Sequence, residues 1–153
     1  MMLMIYILRI LLSVVLGAIV GFEREHQDKP AGLRDIILVT VGATLFSVLV
    51  FEILRIISEL GVDKNIIRFD IGRIFAYVIA SIGFLGSGVI ISKKNKVEGI
   101  TTASLLWVMV STGLLVGIGS YWVAIIATLV LYLILKIKYV NNWWDENHGK
   151  KEN

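Results

Sequence analysis

The chain has no cysteine, a single proline and two histidines, and only 18% of its residues are charged. Each shortage excludes something. Without thiols there is no disulfide framework, no thiolate metal site and no cysteine nucleophile. With only His26 and His148 available, a histidine-built metal centre is not expected, and a bound metal would be a hard, oxygen-liganded cation such as Mg²⁺. What is abundant is apolar: 57% of the 153 residues are hydrophobic and the mean hydropathy is +0.82. A soluble domain has roughly half its residues apolar and a quarter charged. This chain has too little polar surface to cover a water-soluble globule, so lipid is its natural solvent.

Apolar runs cover Leu3 to Phe22, Ile36 to Phe51, Ile74 to Ile91, and one long stretch from Ile100 to Leu135 that has no Asp, Glu, Lys, Arg or His. As one helix the last stretch would be about 54 Å long, against an ~30 Å hydrocarbon core. It must therefore break, and Gly117, Gly119 and Ser120 supply the break, with Tyr121 and Trp122 at the headgroup level. The expected fold is an all-α integral membrane protein, a compact bundle of about five transmembrane helices. Residues 1–140 form the transmembrane domain and 141–153 a polar cytoplasmic tail that frays after Trp143 and Trp144. The first run has no positive leader, contains Arg9 and lacks a small-x-small cleavage site, so it reads as a retained helix and not a signal peptide. Arg9 is costly in mid-span and is expected near the membrane edge, its stem snorkelling outward. Ten lysines and arginines fall in the segments that are inside if the N-terminus is outside, against five in the others, which favours N-out, C-in.

Charge interrupts this pattern at GFEREHQDKPAGLRD, Gly21 to Asp35. Glu23, Arg24 and Glu25 should end the first helix. Pro30 suits the first turn of the second, with Asp28 ahead of it at the positive end of the dipole. A connection this short should keep the glutamates close to Arg34. The hairpin is either a topology anchor that pairs its own charges or a site at the mouth of the bundle. A second loop runs from Glu52 to Arg73; the second helix should end near Gly61, and Asp70 should cap the third.

The stretch GFLGSG contributes Gly83, Gly86 and Gly88 to the third run. Its G-x-x-G-x-G spacing, without a preceding strand or a following lysine-serine pair, is no phosphate loop. It favours close helix packing over an unwound, cavity-lining segment. Gly17 with Gly21, and Gly113 with Gly117, form G-x-x-x-G pairs that argue for tight packing and for a possible homo-oligomer. In VEGITTASLLW, Gly99 breaks the chain and Thr101 or Thr102 should cap the fourth helix, with Trp107 buried or stacked in the bundle; alternatively both threonines line the same face as the charged hairpin. No nucleophile, zinc-protease or paired-carboxylate constellation stands out, so enzymatic activity is not expected. The net charge of +3 fits membrane-flanking lysines and arginines better than nucleic-acid binding.

GFERE, KPAGLRD, DIGRI, SIGFLGSGVI and GITTASLLW, in this order, resemble the motifs of the MgtC/SapB family of prokaryotic inner-membrane proteins. The resemblance singles out Glu23, Arg24, Glu25, Lys29, Pro30, Gly32, Arg34, Asp70, Arg73, Gly83, Gly86, Gly88, Thr101, Thr102 and Trp107. Ser81 and Ser87 stand where the family usually has glycine and alanine. The similarity is to the membrane part of the family without the cytoplasmic domain that longer members add. It implies a non-enzymatic protein of the cytoplasmic membrane, with no cofactor beyond weakly held Mg²⁺. Such a protein would regulate magnesium or proton homeostasis and stress adaptation through a membrane-protein partner such as the ATP synthase. The alternative it leaves open is a homo-oligomeric Mg²⁺ or small-ion transporter with Glu23 and Glu25 at its entrance.

Overall fold

The computed structural model describes residues 2–61, 70–93 and 96–148, with side chains described at 2–61, 70–92 and 97–137. The elements in chain order are α1 (Met2–His26), α2 (Leu33–Glu59), α3 (Ile71–Val89), β1 (Ile91–Lys93), β2 (Lys96–Glu98), α4 (Ile100–Ile118) and α5 (Tyr121–His148). The first four helices are long and apolar enough to cross a membrane, and α5 carries a shorter apolar segment, Tyr121–Ile137. The architecture is all-α and multi-pass, as the apolar runs require.

The helix ends follow from local chemistry. At the end of α1 the N–H of Lys29 donates to the carbonyl of Arg24 and that of Asp28 to Glu25, both at 3.1 Å. Asp28 takes the left-handed conformation this closure needs, at φ 50°. The same closure ends α4: Ser120 N–H bonds to Leu115 O, Gly119 N–H bonds to Val116 O, and Gly119 sits at φ 93°. The break expected near Gly119 is therefore a helix stop of ordinary geometry. Asp70 caps α3, its Oδ1 accepting the Arg73 N–H at 3.0 Å.

Several expectations need correction. Pro30 is not in the first turn of α2, which begins at Leu33 with Gly32 as its cap. The turn that closes α1 uses up the residues to Lys29, and Asp35 supplies the local carboxylate instead, accepting the Gly32 N–H at 3.1 Å. Neither Thr101 nor Thr102 caps α4. Gly99 does so at φ 90°, where a Cβ would lie 1.9 Å from Val89 O, so both conformation and space demand glycine. The connection from α3 to α4 contains an antiparallel pair of three-residue strands, with Ser92 opposite Val97, which the apolar pattern did not signal. Helix α5 runs on to His148, beyond Trp144, after which the chain was expected to fray.

The bundle is organised around α4, which packs against α1, α2, α3 and α5. Its Leu105, Leu106, Met109, Val110 and Val116 are buried. Lipid tails are as apolar as leucine, so helix association here rests on close packing, not on exclusion of water. The glycines show where that happens. A Cβ at Gly113 would lie 2.2 Å from Thr40 O, and one at Gly117 2.3 Å from Ser47 Cβ, so α2 and α4 touch along their backbones. Gly17 and Gly21 do the same for α1 and α2, at 3.0 Å from Ile37 Cα and 2.9 Å from Leu33 Cα. Thr44 donates to the Gly113 carbonyl at 2.9 Å and locks the α2–α4 crossing.

Helix α3 is different. Among the described residues it buries only Ile82 and Gly86, and Gly86 makes ordinary contact with Ala103 of α4. A Cβ at Gly83 or Gly88 would meet nothing within 4 Å. The close packing expected of these two glycines is thus not made among the described residues, where they face open space. Ser81, Ser87 and Ser104, also exposed, and half-buried Ser111 bond back to carbonyls three or four residues earlier, which satisfies their hydroxyls in an apolar setting.

Candidate functional site

The hairpin between α1 and α2 is held by carboxylates bonded to backbone, not by ion pairs. Glu25 Oε2 accepts the Leu33 N–H at 2.7 Å, placing its charge at the positive end of α2. With Asp35 on the Gly32 N–H, two carboxylates satisfy two of the donors that a helix start leaves unpaired. Arg34, expected close to Glu23 and Glu25 and paired within the hairpin only if that is a topology anchor, is exposed and makes no ion pair among the described residues; Lys29 and Pro30 are exposed beside it. The helix dipole and orphaned N–H groups have taken the carboxylates that an ion pair would have used.

One layer inward lie Glu23 and Arg24, which are 9% and 4% exposed. Glu23 Oε1 accepts from Gln27 Nε2 at 2.6 Å, while Oε2 is buried without a hydrogen-bond partner. Arg24 crosses to α4, where Nη2 donates to Thr102 Oγ1 at 2.8 Å, and its Nε is likewise buried without a partner. The structure thus brings Arg24 and Thr102 together. Thr101 and Trp107, on the same helix, are exposed, so the expected burial of Trp107 is corrected: it lines a groove of about 480 Å³ between α3 and α4 with Ile82, Gly83 and Ser87. Asp70 and Arg73 form an exposed pair at 3.3 Å. Because Gly86 lies beside Ala103, α3 runs antiparallel to α4, and this pair sits at the end of the bundle away from the hairpin.

That far end holds a polar cluster that the sequence analysis did not assemble. Tyr6 donates to Glu52 at 2.7 Å, and Arg55 bonds Glu52 and Glu59. Arg9 donates to the Gly117 carbonyl at 2.7 Å and to the Tyr121 hydroxyl at 3.1 Å. The spacing of Glu52, Arg55 and Glu59, three and four apart on one helix, was the available signal. No local signal linked Arg9 to Gly117. Among the described residues, no three carboxylate or imidazole side chains are placed to hold a metal ion.

The family model described as MgtC family matches residues 10–142. The chain belongs to the MgtC family. Among its relatives, Protein MgtC of Salmonella typhimurium is 36% identical over 126 residues, covering 82% of this chain and 49% of that protein. A protein of Haemophilus influenzae is 34% identical, covering 89% of this chain and 56% of that protein. The Escherichia coli K12 protein named "Putative magnesium transporter YhiD" is 30% identical, with 86% and 60% covered. The chain therefore spans about half the length of the curated MgtC-family relatives it matches. No solved structure matches it significantly. The MgtC match takes in the hairpin, the Arg24–Thr102 bridge and the α2–α4 crossing, and begins one residue after Arg9.

Proposed function

We propose that this MgtC-family chain is a non-enzymatic protein of the cytoplasmic membrane, oriented N-out and C-in, that regulates magnesium or proton homeostasis under stress through a membrane-protein partner such as the ATP synthase. The observation that carries this reading is the hairpin itself. Lys29 and Arg34 are exposed cations without ion-pair partners among the described residues, presented on a base made rigid by the Glu25–Leu33 and Asp35–Gly32 bonds. Charges held in place and left unneutralised suit recognition of an acidic partner surface. The backbone contacts at Gly113 and Gly117 fill the centre of the single chain, which supports regulation over conduction through a protomer. Capture from native membranes tests it: the wild-type chain should retain a partner that Arg34→Ala loses, and equal capture by both overturns the hairpin's role.

A second reading is a homo-oligomeric Mg²⁺ or small-ion transporter, favoured by the unpartnered, buried Glu23 Oε2 and by the name of the Escherichia coli relative. Mg²⁺ uptake into proteoliposomes separates the two. Flux in the wild type that Glu23→Gln abolishes establishes transport; no flux in either removes it.

A further inference from the structure

At the end of the bundle away from the hairpin, a partly open cavity of about 230 Å³ is lined by Met2, Ile5, Tyr6, Arg9, Phe51, Arg55 and Ile118. Its polar side chains are two arginines and a tyrosine, and no carboxylate is among them. Arg55 has its counter-charges in Glu52 and Glu59. Arg9 has none among the described residues: its Nη1 and Nε donate to neutral acceptors, its guanidinium lies 5.9 Å from the Tyr6 ring centre, and Nη2 has no hydrogen-bond acceptor. The four charges of the cluster sum to zero, yet both carboxylates bond to Arg55, with Glu52 also accepting from Tyr6, and neither lines the cavity or neutralises Arg9.

A guanidinium at a bilayer edge without an anion is costly, because its charge is taken partly out of water and only dipoles answer it. Arg9 lies about 10 Å along α1 from Met2 at 1.5 Å per residue, near the level where Tyr121 and Trp122 meet the headgroups. The remaining walls are apolar, and Met2, Phe51 and Ile118 are exposed at the rim. We propose that this cavity is a binding site for a phosphate-ester oxyanion, the headgroup of an anionic phospholipid, with Arg9 as its principal cation and the acyl chains lying outside over Met2, Phe51 and Ile118. Guanidinium suits this ligand because its planar N–H edges match two phosphate oxygens. The volume accommodates a headgroup and excludes a whole lipid. The site is separate from the hairpin and stands whether or not the regulatory reading does.

The test is thermal unfolding of the purified full chain in neutral detergent, titrated in separate arms with phosphatidylglycerol, phosphatidylcholine and inorganic phosphate. Phosphatidylglycerol should raise Tm by several degrees more than phosphatidylcholine, and Arg9→Gln should abolish that preference. Because Arg9→Gln also loses two structural hydrogen bonds, Ile118→Trp provides a second variant: it fills the cavity, leaves Arg9 in place, and should remove the preference while Tm without lipid stays close to wild type. A shift with inorganic phosphate equal to that with phosphatidylglycerol supports the phosphate site and assigns it to a soluble ligand. Equal shifts with both lipids and none with phosphate, or a preference surviving in Ile118→Trp, overturns the proposal.

Discussion

Arg9 and Arg24 lie on the same helix and both reach α4, at Gly117 and Thr102. The separations along the two helices are equal, which is what antiparallel neighbours in register must show. Yet the two arginines meet opposite ends of α4. Arg9 binds a carbonyl in its last turn, where the backbone leaves acceptors unpaired and the dipole favours a cation. Arg24 is placed in its first turn, where the dipole disfavours one, and it is more deeply buried, with its Nε unsatisfied beside a glutamate whose Oε2 is also unsatisfied. One end of the molecule uses an arginine to finish a helix. The other holds a buried arginine against the dipole of α4, with the charge of neighbouring Glu23 to offset it.

The frame that keeps these ends apart can be broken first. Gly113→Leu would drive a side chain into the Thr40 carbonyl, and with no room on a backbone surface the expected loss is on the order of 4 kcal/mol or more. The measurement is the yield of monodisperse protein in detergent and its unfolding midpoint. Arg24→Met should cost about 3 kcal/mol, since it leaves Glu23 buried without a neighbouring cation; a cost below that of Arg9→Met in the same denaturant titration would reverse the contrast between the ends. Thr102→Val removes only the acceptor and should cost about 1.5 kcal/mol, less than Arg24→Met but not zero. Tyr121→Phe, at the finished end, should cost about 0.6 kcal/mol, a typical value for an interhelical hydrogen bond in a membrane protein. Gly83→Ala should be the mildest, within about 1 kcal/mol of wild type and tending to stabilise, because the position is open and alanine is the better helix former. A large loss there would mean that a neighbour covers α3.

Much of the fold was legible. The break at Gly119, the Asp70 cap and the five helices follow from composition, length and left-handed backbone positions, all of which act within a few residues. The hairpin's location was legible too, but its bonding was not. Glu25 chose the Leu33 N–H over Arg34, a choice between acceptors that depends on where α2 begins. Gly113 and Gly83 look alike in the chain, and only their neighbours separate a backbone crossing from an open surface. The strands at Ile91–Lys93 and Lys96–Glu98 are too short for periodicity to register.

The sequence by itself determined that this chain belongs in lipid, that its apolar runs form helices, and where some of their ends fall, as at Asp70 and Gly119, because the apolar length of a span and the capping of those ends are local properties. Tertiary structure alone decided that Arg24 turns inward to Thr102, that Arg9 closes α4, and that α3 stays on the outside. Those outcomes rest on which helix faces come into backbone contact, and that depends on all the helices packing together.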